Sequence, residues 1–126
     1  MLDHVAIEVS DLARSARFYD AVLHALGGRR IVDSAAGIGY GRDRPEIWLM
    51  PRPPASGPAP PATRPGHVGI SAVGRRAVDA AHEAGLGAGG RDAGAPAARP
   101  FGPPGYYSAY LTDPDGARLE LVSGAR

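Results

Sequence analysis

The chain opens on an alternation. Val5, Ile7 and Val9 share one face of an extended segment and His4, Ala6 and Glu8 the other, and this period of two predicts a strand over 4–9. The spacing then turns helical. Leu12, Ala16, Tyr19, Leu23 and Leu26 fall on one stripe. Ser10 or Asp11 can cap this helix, because a short oxygen-bearing side chain accepts from the free amides of the first turn. Gly27 and Gly28 stop it. Strand candidates follow over 29–34, 37–42 and 46–50.

The scheme restarts at residue 67. His67-Val68-Gly69-Ile70 repeats His4-Val5-Ala6-Ile7 at an offset of 63 residues. Carried onward, the offset also matches Ala21 with Ala84, Leu23 with Leu86, Ala25 with Ala88 and Gly27 with Gly90. Such a period exceeds the usual solenoid repeats and predicts two similar half-domains. The second half reads as a strand over 67–72, a helix over 75–86 with a thin stripe of Val78, Ala81 and Leu86, and strands over 90–93, 106–112 and 117–122. Asp113-Pro114-Asp115-Gly116 joins the last two as a turn, since proline presets φ and glycine accepts positive φ. Between the halves, 51–65 holds seven prolines and predicts an exposed connector without strands. A second irregular stretch covers 94–105. Module one is therefore 1–50 and module two 66–126, within a single domain of strand, helix and three strands twice over.

Composition narrows the chemistry. The 126 residues suffice for one domain with a real core. Cysteine is absent, which excludes disulfides, thiolate metal sites and thiol nucleophiles. A net charge of +1 gives no electrostatic footprint for nucleic acid. No apolar run approaches the roughly 18–20 residues of a membrane span. The start, Met1-Leu2-Asp3-His4, has neither a basic region nor an apolar signal core, so a cytoplasmic location is expected. Every basic residue is Arg, and Lys, Asn and Gln are missing. That pattern fits a coding bias toward G and C, so Arg frequency carries little functional weight.

Any metal must then sit on His, carboxylate or backbone oxygen. His24 and His82 fall on helices, as surface or half-buried residues. His4 and His67 open the two repeated strands, either as ligands or as strand-start histidines bonded in the core. Glu120 lies between Leu119 and Leu121 and points to the face opposite them. A lone carboxylate inside a sheet costs several kcal/mol unless it is paired or metal-bound; the alternative is an exposed edge residue. Two His and one Glu from facing strands would make a facial triad with open positions for one divalent ion, Fe(II) first, with Mn(II), Ni(II) or Zn(II) as alternatives.

His-Val-x-Ile-x-Val followed by Asp11-Leu12-x-x-Ser15-x-x-Phe18-Tyr19-x-x-Val22-Leu23 resembles the first module of the vicinal oxygen chelate superfamily. That superfamily includes glyoxalase I, bleomycin-binding proteins, fosfomycin-resistance transferases and extradiol dioxygenases. Asp113-Pro114-Asp115-Gly116-x-x-Leu119-Glu120-Leu121 is similar to the end of its second module. The resemblance implies an α+β fold of two βαβββ modules, forming an open, cupped mixed sheet with helices on the outer face. It implies metal positions at His4, His67 and Glu120. It also implies a fourth ligand in glyoxalase I at the position that Trp48 takes here, within Ile47-Trp48-Leu49. Authentic glyoxalase I activity is therefore not expected. Glu46, two residues earlier on the same face, could contribute only under a shifted register.

Tyr110 lies ten residues before Glu120, where similar three-ligand enzymes place a tyrosine near the metal, and is the catalytic candidate. Trp48, Tyr40 and Tyr106 are candidate pocket walls. Arg118 and Glu8 share ligand-bearing faces and could position a polar or anionic small-molecule substrate. The expectation is a small metal-dependent, lyase- or dioxygenase-like enzyme acting on vicinal oxygens, assembled as a homodimer that covers its sheet edges. The alternative is a non-enzymatic binder that sequesters a flat ligand, as bleomycin-resistance proteins do.

Overall fold

The computed structural model describes residues 1–57 and 66–124. Module one contains β1 (Val5–Val9), α1 (Leu12–Ala25), β2 (Arg29–Ser34), β3 (Gly37–Gly41) and β4 (Ile47–Pro51). Module two contains β5 (Val68–Ser71), α2 (Arg75–Gly87), β6 (Arg91–Ala98), β7 (Tyr107–Thr112) and β8 (Arg118–Ser123). Each module is a four-stranded mixed sheet, ordered β1-β4-β3-β2 and β5-β8-β7-β6. The first strand of each runs parallel to the last, and the other pairs are antiparallel. Among the described residues, the two sheets share no ladder.

α1 forms as its sequence requires. Asp11 is extended and accepts from the Arg14 amide at 3.0 Å, which satisfies a first-turn donor. Phe18, Tyr19, Val22 and Leu23 bury the opposite side of the helix. Gly27 then takes φ +86°, a left-handed conformation that ends the helix without a Cβ penalty. α2 begins at Gly74 with no side-chain cap. Its buried stripe is Val78, Ala81, His82 and Gly85. Leu86, expected on that stripe, stays 42% exposed. Gly85 takes the inward place because a Cβ there would stand 2.5 Å from Leu111 and 2.9 Å from Val22. The missing side chain lets α2 approach both α1 and β7.

One core runs through both modules. Leu49, Leu111, Leu119 and Leu121 are fully buried, together with Phe18, Tyr19 and Val22 of α1 and Val78 and Ala81 of α2. Full burial of each leucine is worth about 2 kcal/mol. Polar contacts tie the turn after β7 to α1. The Tyr19 hydroxyl donates to Asp113 Oδ2 at 2.7 Å, while Asp113 Oδ1 accepts from the amides of Asp115 and Ala117. The carboxylate of Asp115 accepts from the Ser10 amide at 2.9 Å and from Arg14 at 2.9 Å. The Asp-Pro-Asp-Gly turn is thus both a hairpin turn and the bolt between modules.

The 63-residue offset holds for β1 and β5 and for the two helices, and β6 starts 62 residues after β2. It then widens, and β7 and β8 start 70 and 71 residues after β3 and β4. β6 also runs to Ala98, well past the expected end at residue 93, with register shifts at Gly94. The extra residues after it make the loop 99–106. β4 reaches Pro51, and a 3-10 turn follows at Pro54–Ser56. The rest of the expected connector, 58–65, lies outside the described residues.

Candidate metal centre

Alternation decides which side chains leave the core. In β8, Leu119 and Leu121 face the helices, so Glu120 points to the opposite face. Glu120 is flanked in the ladder by Tyr110 of β7 on one side and Gly69 of β5 on the other. His67, just before β5, shares that face. Glu120 is nonetheless only 4% exposed.

Both oxygens of its carboxylate are engaged. His67 Nε2 donates to Oε1 at 3.1 Å, and the hydroxyls of Tyr106 and Tyr110 donate to Oε2 at 2.9 and 3.0 Å. The loop 99–106 supplies the cover. Gly102 and Gly105 have φ near +80°, and a Cβ on Gly102 would come within 2.8 Å of the Tyr106 ring. Burial alone would raise the Glu120 pKa. Hydrogen bonds from Tyr106, Tyr110 and Ser108 and the potential of His67 together outweigh it and hold the carboxyl below its ordinary value. Burial, and the hydrogen bond to Glu120, push the Tyr110 phenol upward. At neutral pH the pair is a carboxylate with a protonated phenol.

Two arginines flank Tyr110. The Arg118 guanidinium carbon is 4.4 Å from the ring centroid and that of Arg99 is 5.4 Å. Arg99 is pinned by donation from Nε to Ser108 Oγ and from Nη2 to the carbonyls of Ala95 and Ser108. Arg99 is a residue the sequence reading missed. It sits in a Gly/Pro-rich stretch without periodicity, and only its nearness to the Tyr106 strand marked it.

His4 lies elsewhere. It precedes β1 on the face of sheet one turned from the helices, and its Nδ1 meets Asp3 at 2.7 Å. Among the described residues, no three His, Asp or Glu side chains stand together as a cation cage. One chain thus brings His67, Glu120, Tyr106 and Tyr110 together and leaves His4 on the other module. The reason is the fold's layering. The helices pack against each other, and each sheet turns the face that carries His4 or Glu120 away from them.

Trp48 pairs with Ala6 and shares the His4 face, its ring against Gly39. Glu46 just precedes β4 and is exposed, in the unshifted register. Glu8, also on that face, forms an ion pair with Arg52. Tyr40, a candidate pocket wall, points to the helix side, away from the face of His4 and Trp48. It is 1% exposed and donates to Asp20 Oδ1 at 2.7 Å. There it borders a cavity of about 370 Å³ with Val5, Leu23, Ile47, Val68 and Ile70, and neither His67 nor Glu120 lines that cavity. Among the described residues, no helix is long and apolar enough to cross a membrane. His82 is buried and bonds Asp92 at 2.9 Å, joining α2 to β6.

Residues 1–121 match the profile of the Glyoxalase/Bleomycin resistance protein/Dioxygenase superfamily. No curated protein matches the chain significantly. Among solved structures, a glyoxalase/bleomycin resistance protein from Albidiferax ferrireducens is 30% identical, with a TM-score of 0.73 over 95% of this chain and 96% of that one. A glyoxalase-related enzyme from Fulvimarina pelagi is 21% identical, with a TM-score of 0.71 over 97% and 88%. The fosfomycin resistance protein FosX of Listeria monocytogenes, a mutant complexed with Mn(II) and dihydroxypropylphosphonic acid, is 20% identical, with a TM-score of 0.70 over 99% and 90%.

Proposed function

Since the chain belongs to the glyoxalase/bleomycin resistance protein/dioxygenase superfamily, we propose that it is a small metal-dependent enzyme whose centre is shared between two copies. His67 and Glu120 of one protomer and His4 of the partner subunit would hold one divalent ion. The observation that carries this reading is the buried Glu120 carboxylate with the His67 imidazole at 3.1 Å. An imidazole and a carboxylate this close suit Fe(II), Mn(II), Ni(II) or Zn(II). The equivalent histidine of the repeat, His4, meets only the exposed Asp3 carboxylate among the described residues of its own chain. A homodimer of these modules would join the two ligand faces and cover the edge strands β1 and β5.

A bound ion would supply Lewis acidity toward vicinal oxygens of the substrate. The chain's own part is positional. Glu120 stays ionised and available as a ligand. The Tyr110 phenol, raised by burial and by Glu120, stays protonated and so acts as a hydrogen-bond donor or acid rather than a base. Tyr106 folds over the carboxylate and limits water there. Trp48 offers an aromatic wall where glyoxalase I carries a ligand, so the reading favours lyase, transferase or dioxygenase chemistry over that isomerisation.

The binder reading has one observation on its side. Glu120 is satisfied by protein donors alone, as a metal-free ligand-sequestering protein would require. Calorimetry with Mn(II), Ni(II) and Zn(II) separates the two. Wild type should bind near one ion per chain, and Glu120→Ala should bind none while keeping its circular dichroism spectrum. Equal binding by both, or none by either, hands the site to the binder reading.

A further inference from the structure

We infer that this face takes a substrate bearing a compact anionic group, a carboxylate or a phosphonate- or phosphate-type oxyanion, held between Arg118 and Arg99. The inference rests on the reading of the Glu120 face as the substrate site.

Positive charge is left over beside the Glu120 cluster. Arg14, Arg30, Arg44 and Arg52 each meet a carboxylate, of Asp115, Asp20, Asp3 and Glu8. Among the described arginines that meet no carboxylate, Arg99 and Arg118 are set apart by position, since both stand within 5.4 Å of the Tyr110 ring centroid, next to the Glu120 cluster. Glu120 is the nearest acid across the ladder, and its two oxygens are already taken by His67, Tyr106 and Tyr110. Arg118 makes no hydrogen bond or ion pair among the described residues. It is exposed, and its sole contact of this kind is the aromatic face.

Arg99 differs in a useful way. Its Nε and Nη2 spend their donors on Ser108 and Ala95. The fork is thereby fixed, and Nη1 keeps its donors. A fixed guanidinium and a free one beside the same ring make a half-built receptor for an oxyanion. Guanidinium donors match the planar or trigonal oxygens of carboxylates and phosphonates, and the charge-assisted bonds are stronger than neutral ones. Two uncompensated positive charges beside one carboxylate also make an uncharged substrate a poor match for this face. The anion would lie beside Tyr110, so its attached carbon would reach the region of the protonated phenol and Glu120.

The test is run on metal-stripped protein, so that it does not depend on the ion. Phenylphosphonate, benzoate and benzamide share a ring and differ in charge, and each is titrated by calorimetry. The two anions should bind, and benzamide at least about tenfold more weakly. Arg118→Gln should weaken both anions about tenfold or more. Arg99→Gln should weaken them comparably, and Arg76→Gln on the exposed side of α2 should not. Tighter phenylphosphonate assigns a phosphonate- or phosphate-type group, and tighter benzoate a carboxylate. Because Arg118 is exposed and unbonded, its variant will fold. Wild-type anion affinity in Arg118→Gln, or benzamide binding as well as the anions, overturns the inference. A protein that binds no Mn(II) but loses anion affinity in Arg118→Gln loses the metal reading and keeps this one.

Discussion

Asp113 is a buried carboxylate that a sequence reader takes for a turn residue. It is 2% exposed, and burial raises its pKa despite donation from Tyr19 and two amides. A raised folded pKa favours the protonated fold. Its stabilising contribution is therefore full below the unfolded value near 3.9 and is lost as pH rises through the folded value. Asp113→Asn removes this titration and keeps an oxygen for the two amides. Urea midpoints from pH 4 to 7 should move in favour of the variant as pH rises, and a gap independent of pH would refute that account. Glu120, by contrast, was legible, as the one polar residue within the apolar run from Leu119 to Val122. Tyr40 was not. In Gly37-Ile38-Gly39-Tyr40-Gly41 three glycines leave no polar face to contrast with the apolar one, and only the ladder with β4, which sets Tyr40 opposite Ile47, assigns its side.

At the scale of elements, close approach does what hydrophobic bulk does elsewhere. α2 has a thin stripe and no capping side chain, yet it docks because Gly85 lets Leu111, Val22 and Phe18 crowd its backbone. Gly85→Ala gains about 1 kcal/mol of helix propensity. It also forces a methyl to 2.5 Å from Leu111 Cδ1, and such overpacking costs about 1–3 kcal/mol. The net expectation is destabilisation in equilibrium unfolding, by about 1 kcal/mol or more. Gly87→Ala at the end of the same helix meets nothing within 4 Å and should be neutral or stabilising. A stable Gly85→Ala would mean that α2 shifts freely over the sheet. The helix was readable from its spacing, but the identity of its inward residue was not, since a glycine carries no hydrophobic signal. β6 was shortened in the reading for a related cause. Its Gly-Ala-Pro-Ala-Ala run lacks alternation, and its pairing with β7 is irregular at Gly94.

For the whole molecule, the repeat announces that His4 and His67 are equivalent without saying which copies meet. Two modules joined in one chain could close a cup on themselves or offer open faces to a second chain. The packing of α1 on α2, bolted by Tyr19 to Asp113, and the two separate sheets are the terms of that choice. They are long-range contacts between residues 94 positions apart, and no local pattern encodes them. If the centre is shared, defects in different ligands complement each other. In a mixture of His4→Ala and Glu120→Ala chains, a heterodimer has one site with all three ligands and one site with two missing. Random exchange makes about half of the dimers mixed, so about a quarter of the sites should recover Mn(II) binding when neither variant alone binds any. A centre built within one chain recovers nothing, because every chain then carries its own defect. Light scattering on the same mixture checks that dimers are present. Dimers without recovery would therefore exclude a shared centre, and recovery would place the third ligand on the partner.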